Sequence, residues 1–222
     1  MAETIRQRAD PAAGDTPVER FDRAERAVHW ANAAVFGVLI VTAAALYFSP
    51  LMALVGRRRL VEDIHLGAGL AAPIPLLAGL ASRRYRADLR RFNRWSVDDR
   101  VWLRLALAGR RSRTAGRATL LDGKFNAGQK LNAAFTAGVV AVMLATGVIM
   151  FWFHPWPLSW RTGATYTHDW LAAAVVAVVA GHVTYAVRDP EALRSMWRGT
   201  VSRRWARAHA RGWLQEVDDG AE

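Results

Sequence analysis

Apolar and polar positions along this chain separate into long blocks instead of alternating. Four runs carry no Asp, Glu, Lys or Arg: Trp30–Phe48 over 19 residues, Ile64–Ala81 over 18, Leu131–Phe153 over 23 and Trp170–Val187 over 18. Crossing about 30 Å of hydrocarbon takes roughly 20 apolar residues. Each run therefore predicts a membrane-spanning helix, the two shorter ones with help from their flanks. Pro73 and Pro75 make the second run the least regular, because each removes a backbone donor and bends a helix unless packed neighbours accommodate it. Alone, that run also suits a helix buried in a soluble protein; the four together do not. The expected fold is all-α, an integral membrane four-helix bundle forming one domain over residues 1–222. Its spans fall at about 30–48, 64–81, 131–153 and 168–187, with an N-tail 1–28, a loop 83–130 and a C-tail 188–222.

Composition looks contradictory until it is mapped onto these blocks. The 222 residues are 52% hydrophobic, yet the formal net charge is +11. The arginines lie between the runs. Segments before the first span, between the second and third, and after the fourth hold 26 of the 30 basic residues; the other two loops hold Arg57, Arg58, Arg59 and Arg161. Basic residues collect on the cytoplasmic side of short loops, so both termini are expected there. Trp30, Tyr47, Phe48, Trp152, Trp156, Trp160 and Trp170 read as aromatic belts at the span ends. A chain this basic invites a nucleic-acid reading, but its arginines flank spans and form no single patch, which excludes nucleic acid as a partner. The polar first 28 residues lack the short apolar core of a cleavable signal, so the first span is expected to be an uncleaved anchor. Val97, Val101, Leu105 and Ala108 recur at near-helical spacing. They predict an amphipathic cytoplasmic helix against lipid, as does the Trp- and Arg-rich stretch 190–214; a solvated basic face is the alternative for both.

Candidate chemistry narrows quickly. The chain has no cysteine, which excludes iron–sulfur clusters, thiolate-bound metals and covalently attached haem within it. It has six histidines, and histidine in a membrane span is costly and marks function more often than packing. His168 and His182 are 14 residues apart, close to four helical turns, so both face one way, with about 21 Å between them along the axis. Each needs a partner at its own depth. With both termini cytoplasmic, His29 matches His182 on the inner side and His65 matches His168 on the outer side. Two pairs at two depths suit the axial ligation of two b haems stacked across the bilayer. A single histidine satisfied by a backbone carbonyl is the alternative, but it does not account for the pattern. Gly67, Gly69 and Gly181 leave room for a macrocycle or for close helix packing. Arg26 and Arg188 suit haem propionates or simple positive flanking. His154 and His209 find no depth-matched partner.

Before the third span lies Gly123-Lys124-Phe125-Asn126-Ala127-Gly128-Gln129-Lys130, whose Asn and Gln side chains suit either a quinone carbonyl or a polar helix cap. Taken with Phe21-Asp22-Arg23, His29-Trp30, His65, His168 and Gly181-His182, this run resembles the cytochrome b (gamma) subunit of membrane-bound formate dehydrogenases, from about Glu19 to Glu216. The resemblance implies a non-catalytic membrane anchor for a periplasmic iron–sulfur subunit and a molybdenum or tungsten catalytic subunit, with any higher oligomer left open. It implies an outer haem on His65 and His168 and an inner haem on His29 and His182. It also implies a quinone site (menaquinone or ubiquinone) lined by Asn126, Gly128 and Gln129 with His182 close by. A related cytochrome b of a hydrogenase, a thiosulfate reductase or another reductase is the neighbouring reading. A haem-free anchor or transporter is the reading of another class.

Overall fold

A computed structural model of the chain describes residues 16–107 and 123–220. Helix α1 (Arg23–Tyr47) begins upstream of its uncharged run because Asp22 builds a capping box: Glu25 N donates to Asp22 Oδ1 and Asp22 N to Glu25 Oε2, both at 2.7 Å. The two bonds satisfy orphan donors at the helix start, and they place His29 inside the helix. A short helix α2 (Ser49–Val55), which the hydropathy pattern did not announce, ends at Gly56 in the left-handed conformation, φ +69°.

The second span is built from α3 (Arg58–Ala71) and α4 (Pro73–Gly79). The prolines do not break it. Ala72 keeps helical dihedrals, and its N–H reaches the Gly69 carbonyl at 3.3 Å, the group that Pro73 has no proton to serve. Ile74 and Leu77 stay 59% and 62% exposed along this helix, as lipid-facing side chains do and those of a buried soluble helix do not.

Helices α5 (Arg83–Phe92) and α6 (Val97–Leu107) follow; the expected helix over Val97–Ala108 is present up to Leu107, and Ala108 lies outside the described residues. Helix α7 (Ala127–Phe151) and helix α8 (Leu158–Val187) complete, among the described residues, the four helices long and apolar enough to cross a membrane. At about 1.5 Å per residue, α8 is longer than the hydrocarbon is thick, and it runs unbroken through both His168 and His182. Within the bundle α1 packs on α3 and α4, α7 packs on α8, and α3 meets α7.

The tightest apolar packing lies elsewhere. The tail folds into α9 (Pro190–Arg198), β2 (Thr200–Ser202), α10 (Arg203–His209) and α11 (Arg211–Asp218). Strand β1 (Pro17–Glu19) pairs antiparallel with β2, Val18 opposite Val201. Val18, Val201, Trp205, Ala206, Ala210, Trp213 and Leu214 form one buried cluster. The aromatic tail is therefore not one amphipathic helix lying on lipid: Trp205 and Trp213 point into a small core of their own, while Trp197 remains 61% exposed. The N-tail, α5 and the C-tail meet at one end of the bundle, through Arg84–Glu19 at 2.6 Å and Arg91–Glu216 at 2.9 Å.

Candidate functional site

Three helices present four histidines toward one another in two places. His29 of α1 and His182 of α8 have ring centroids 6.2 Å apart; His65 of α3 and His168 of α8 are 6.4 Å apart. These are the pairs that depth matching predicts, brought together by packing of helices distant in sequence. The two levels are separated along α8 by 14 residues, about 21 Å. The His29–His182 level is the one nearer the end where the tails gather.

The spacing within a pair has a chemical reading. A metal–imidazole bond is about 2.0–2.1 Å and a ring centre sits about 1.1 Å behind its nitrogen, so imidazoles on opposite sides of one metal have centroids roughly 6.3 Å apart. Both observed separations fall within 0.1 Å of that value. Among the described residues no three His, Cys, Asp or Glu side chains converge. Two nitrogens are too few for a bare ion; they would fit a group that supplies its other metal ligands itself. At Gly67, Gly69 and Gly181 an added Cβ meets nothing within 4 Å, so close helix packing is not what these glycines serve.

Both rings of the second pair are held from behind. Thr42 Oγ1 of α1 lies 2.8 Å from His65 Nδ1, and Thr146 Oγ1 of α7 lies 2.9 Å from His168 Nδ1. Neither threonine stands out in the sequence, since a hydroxyl in an apolar run reads as filler. A signal existed in the spacing, each threonine preceding its histidine by nearly the same number of residues, 23 and 22.

The histidines left over have ordinary surroundings. His209 Nδ1 lies 3.0 Å from the Trp205 carbonyl, and its ring stacks on Trp205. His154 stacks on Phe153 with centroids 4.2 Å apart. Arg26 reaches the carbonyls of Asp22 and Trp197, which ties α1 to α9. Arg188 sits at the C-terminal cap of α8.

The run before α7 occupies the same end. Asn126 and Gln129 form a capping box, each backbone N–H donating to the other's side-chain oxygen at 3.0 Å. Gly128 lies under the Trp102 indole of α6, where an added Cβ would come within 2.8 Å of Cη2. Beside it is a buried ionic cluster absent from any sequence motif. Lys124 Nζ lies 2.7 Å from Asp88 and 3.0 Å from Glu25, with all three side chains at most 6% exposed. Phe125 stacks on Phe92 and leans toward Phe21. Arg20 donates to the Lys124 carbonyl and lies over the Trp205 ring; burial pushes its pKa down to about 10, which leaves it cationic at neutral pH. The Phe21-Asp22-Arg23 segment and the run before α7, a hundred residues apart, are thus one packed unit.

Residues 20–199 match the family described as prokaryotic cytochrome b561, and the chain belongs to it. Two curated relatives come from Escherichia coli strain K12. The nitrate-inducible formate dehydrogenase cytochrome b556(Fdn) subunit is 28% identical over 99 residues, 43% of this chain and 46% of that protein. The match therefore spans about half that relative's length. The formate dehydrogenase cytochrome b556(fdo) subunit is 25% identical over 208 residues, 90% of this chain and 93% of that protein. The same Fdn relationship holds for the Shigella flexneri protein. With four membrane-spanning helices in this family, the chain is a multi-pass protein of the bacterial inner membrane.

Proposed function

We propose that this member of the prokaryotic cytochrome b561 family is the membrane anchor and electron-transfer subunit of a respiratory formate dehydrogenase, and that it does not itself act on formate. The observation carrying this reading is the pair of histidine pairs, each at metal-bridging separation and each at its own depth. His65 and His168 would hold one haem b, and His29 and His182 the other. Two bis-histidine haems supply one-electron relay between the membrane faces, here from a periplasmic iron–sulfur subunit, docked with a molybdenum or tungsten subunit, to a quinone on the cytoplasmic side.

The chain's own residues set the direction. The basic segments that favour the cytoplasm have their described parts beside His29 and His182, which supports reading that pair as the inner one and both termini as cytoplasmic. Quinone binding falls to Asn126 and Gln129. Their amide oxygens are engaged by the cap, and their NH2 groups are the donors a quinone carbonyl accepts from. Trp102 lies against Gly128 on that face. Protons for the quinol then come from the cytoplasmic side, opposite to electron entry, which makes the reaction electrogenic. The test is purification in mild detergent. Two haem b per chain by pyridine haemochrome, and an iron–sulfur subunit in the same complex, are expected; less than one haem per chain refutes the cytochrome reading.

A further inference from the structure

The hydroxyls of Thr42 and Thr146 have only one way to share their protons. Thr42 Oγ1 lies 2.7 Å from the Val38 carbonyl and 3.2 Å from that of Leu39; Thr146 Oγ1 lies 2.8 Å from Val142 O and 3.2 Å from Met143 O. Carbonyl oxygens only accept, so a hydroxyl that turned its single proton to the imidazole would press its lone pairs against a carbonyl at van der Waals overlap. The proton goes to the carbonyl one turn back, the usual bond for a threonine within a helix. The third group at each hydroxyl, Nδ1 of His65 or His168, must then be the donor.

We propose that Thr42 and Thr146 are positioning residues that fix His65 and His168 in the Nδ1–H tautomer and so aim two bare Nε2 lone pairs at one metal centre. The proposal rests on the reading that this pair holds a haem. Its physical basis is independent of it, because a histidine nitrogen can bind metal only when unprotonated, and the hydrogen bond at the other nitrogen decides which one that is. The arrangement is duplicated: a threonine of α1 serves α3, and a threonine of α7 serves α8. An oxygen accepting from Nδ1–H also makes the imidazole a stronger donor to the metal, which favours the oxidised ion and holds the potential of that centre down.

The experiment is optical redox titration of the intact complex carrying Thr42→Val with Thr146→Val, which keeps side-chain shape and removes the acceptors, alongside the Thr→Ser pair, which restores an oxygen. Expected in the valine variant are two haems per chain, with one component raised by about 59 mV, a tenfold change for a one-electron couple, and the other unmoved. The serine variant returns to the starting potential. If valine costs one haem, its return with serine at the original potential supports the assignment, and its continued loss overturns it. Full haem content with both potentials unmoved overturns the threonine assignment alone. A haem-free unsubstituted protein overturns the cytochrome reading instead.

Discussion

Lys124 and Asp88 form an ion pair of 2.7 Å in which the side chains are only 4% and 5% exposed, and Glu25 of the first span closes the other side of the ammonium at 3.0 Å. One lysine thus joins the run before α7, the helix α5 and the start of α1. Lys124→Met takes the ammonium away from Glu25 and leaves Asp88 only its pair with Arg91 at 3.2 Å, a loss of about 3–5 kcal/mol. The apparent thermal midpoint in detergent should fall steeply. The triple variant Glu25→Gln, Asp88→Asn, Lys124→Met, which removes the charges together, should recover most of it; a triple variant as unstable as the single one would show that the ions themselves are needed.

His182→Ala removes one half of a pair whose partner, His29, sits on a different helix. One haem should be lost, the centre at His65 and His168 should remain reducible through the iron–sulfur subunit, and quinone reduction should stop. Unimpaired quinone reduction at half the haem content would rule out the path.

The cap and the quinone role of Asn126 can be separated by chemistry. Asn126→Asp keeps an oxygen to accept from Gln129 N and places a favourable charge at a helix N-terminus, but it has no NH2. Inhibitors of the quinone site should weaken in this variant while helix stability and haem content hold. Asn126→Ala should lose both, with a stability cost of about 1 kcal/mol. Equal inhibitor affinity in the aspartate variant would assign Asn126 to the cap alone.

Gly128→Ala sets a methyl group 2.8 Å from Trp102 Cη2, closer than packing allows. The indole must move, and α6 with it, so cleavage within residues 97–107 under limited proteolysis should accelerate. Gly128→Ala combined with Trp102→Leu should regain protection, since the shorter side chain clears the new methyl. If the single variant resists protease like the parent, Trp102 has room to yield.

The bundle and its histidine pairs were legible because each followed from one-dimensional spacing. A span is a count of uncharged residues, its ends are biased by arginines, and His168 and His182 share a face because helical periodicity requires it. The ends of the helices were harder to read. Asp22 with Glu25, and Asn126 with Gln129, extend α1 and α7 beyond their apolar runs through side-chain bonds to backbone, and hydropathy carries no trace of such bonds. Pro73 and Pro75 pointed to a bend, yet the helix passes them, and Ala72 takes up the Gly69 carbonyl that Pro73 leaves.

From sequence alone came the number of spans, the two histidine pairs and the polar run before the third span, all local or periodic properties that any packing of the helices would have to respect. Tertiary structure alone decided what stands behind those residues: Thr42 under His65, Thr146 under His168, Trp102 over Gly128, and Lys124 between Glu25 and Asp88. It also turned a tryptophan- and arginine-rich tail into a small core closed by the pairing of Val18 with Val201. The reason is physical. A hydroxyl, a glycine or a lysine carries no period of its own, and its role is set by the group that another helix brings within about 3 Å of it.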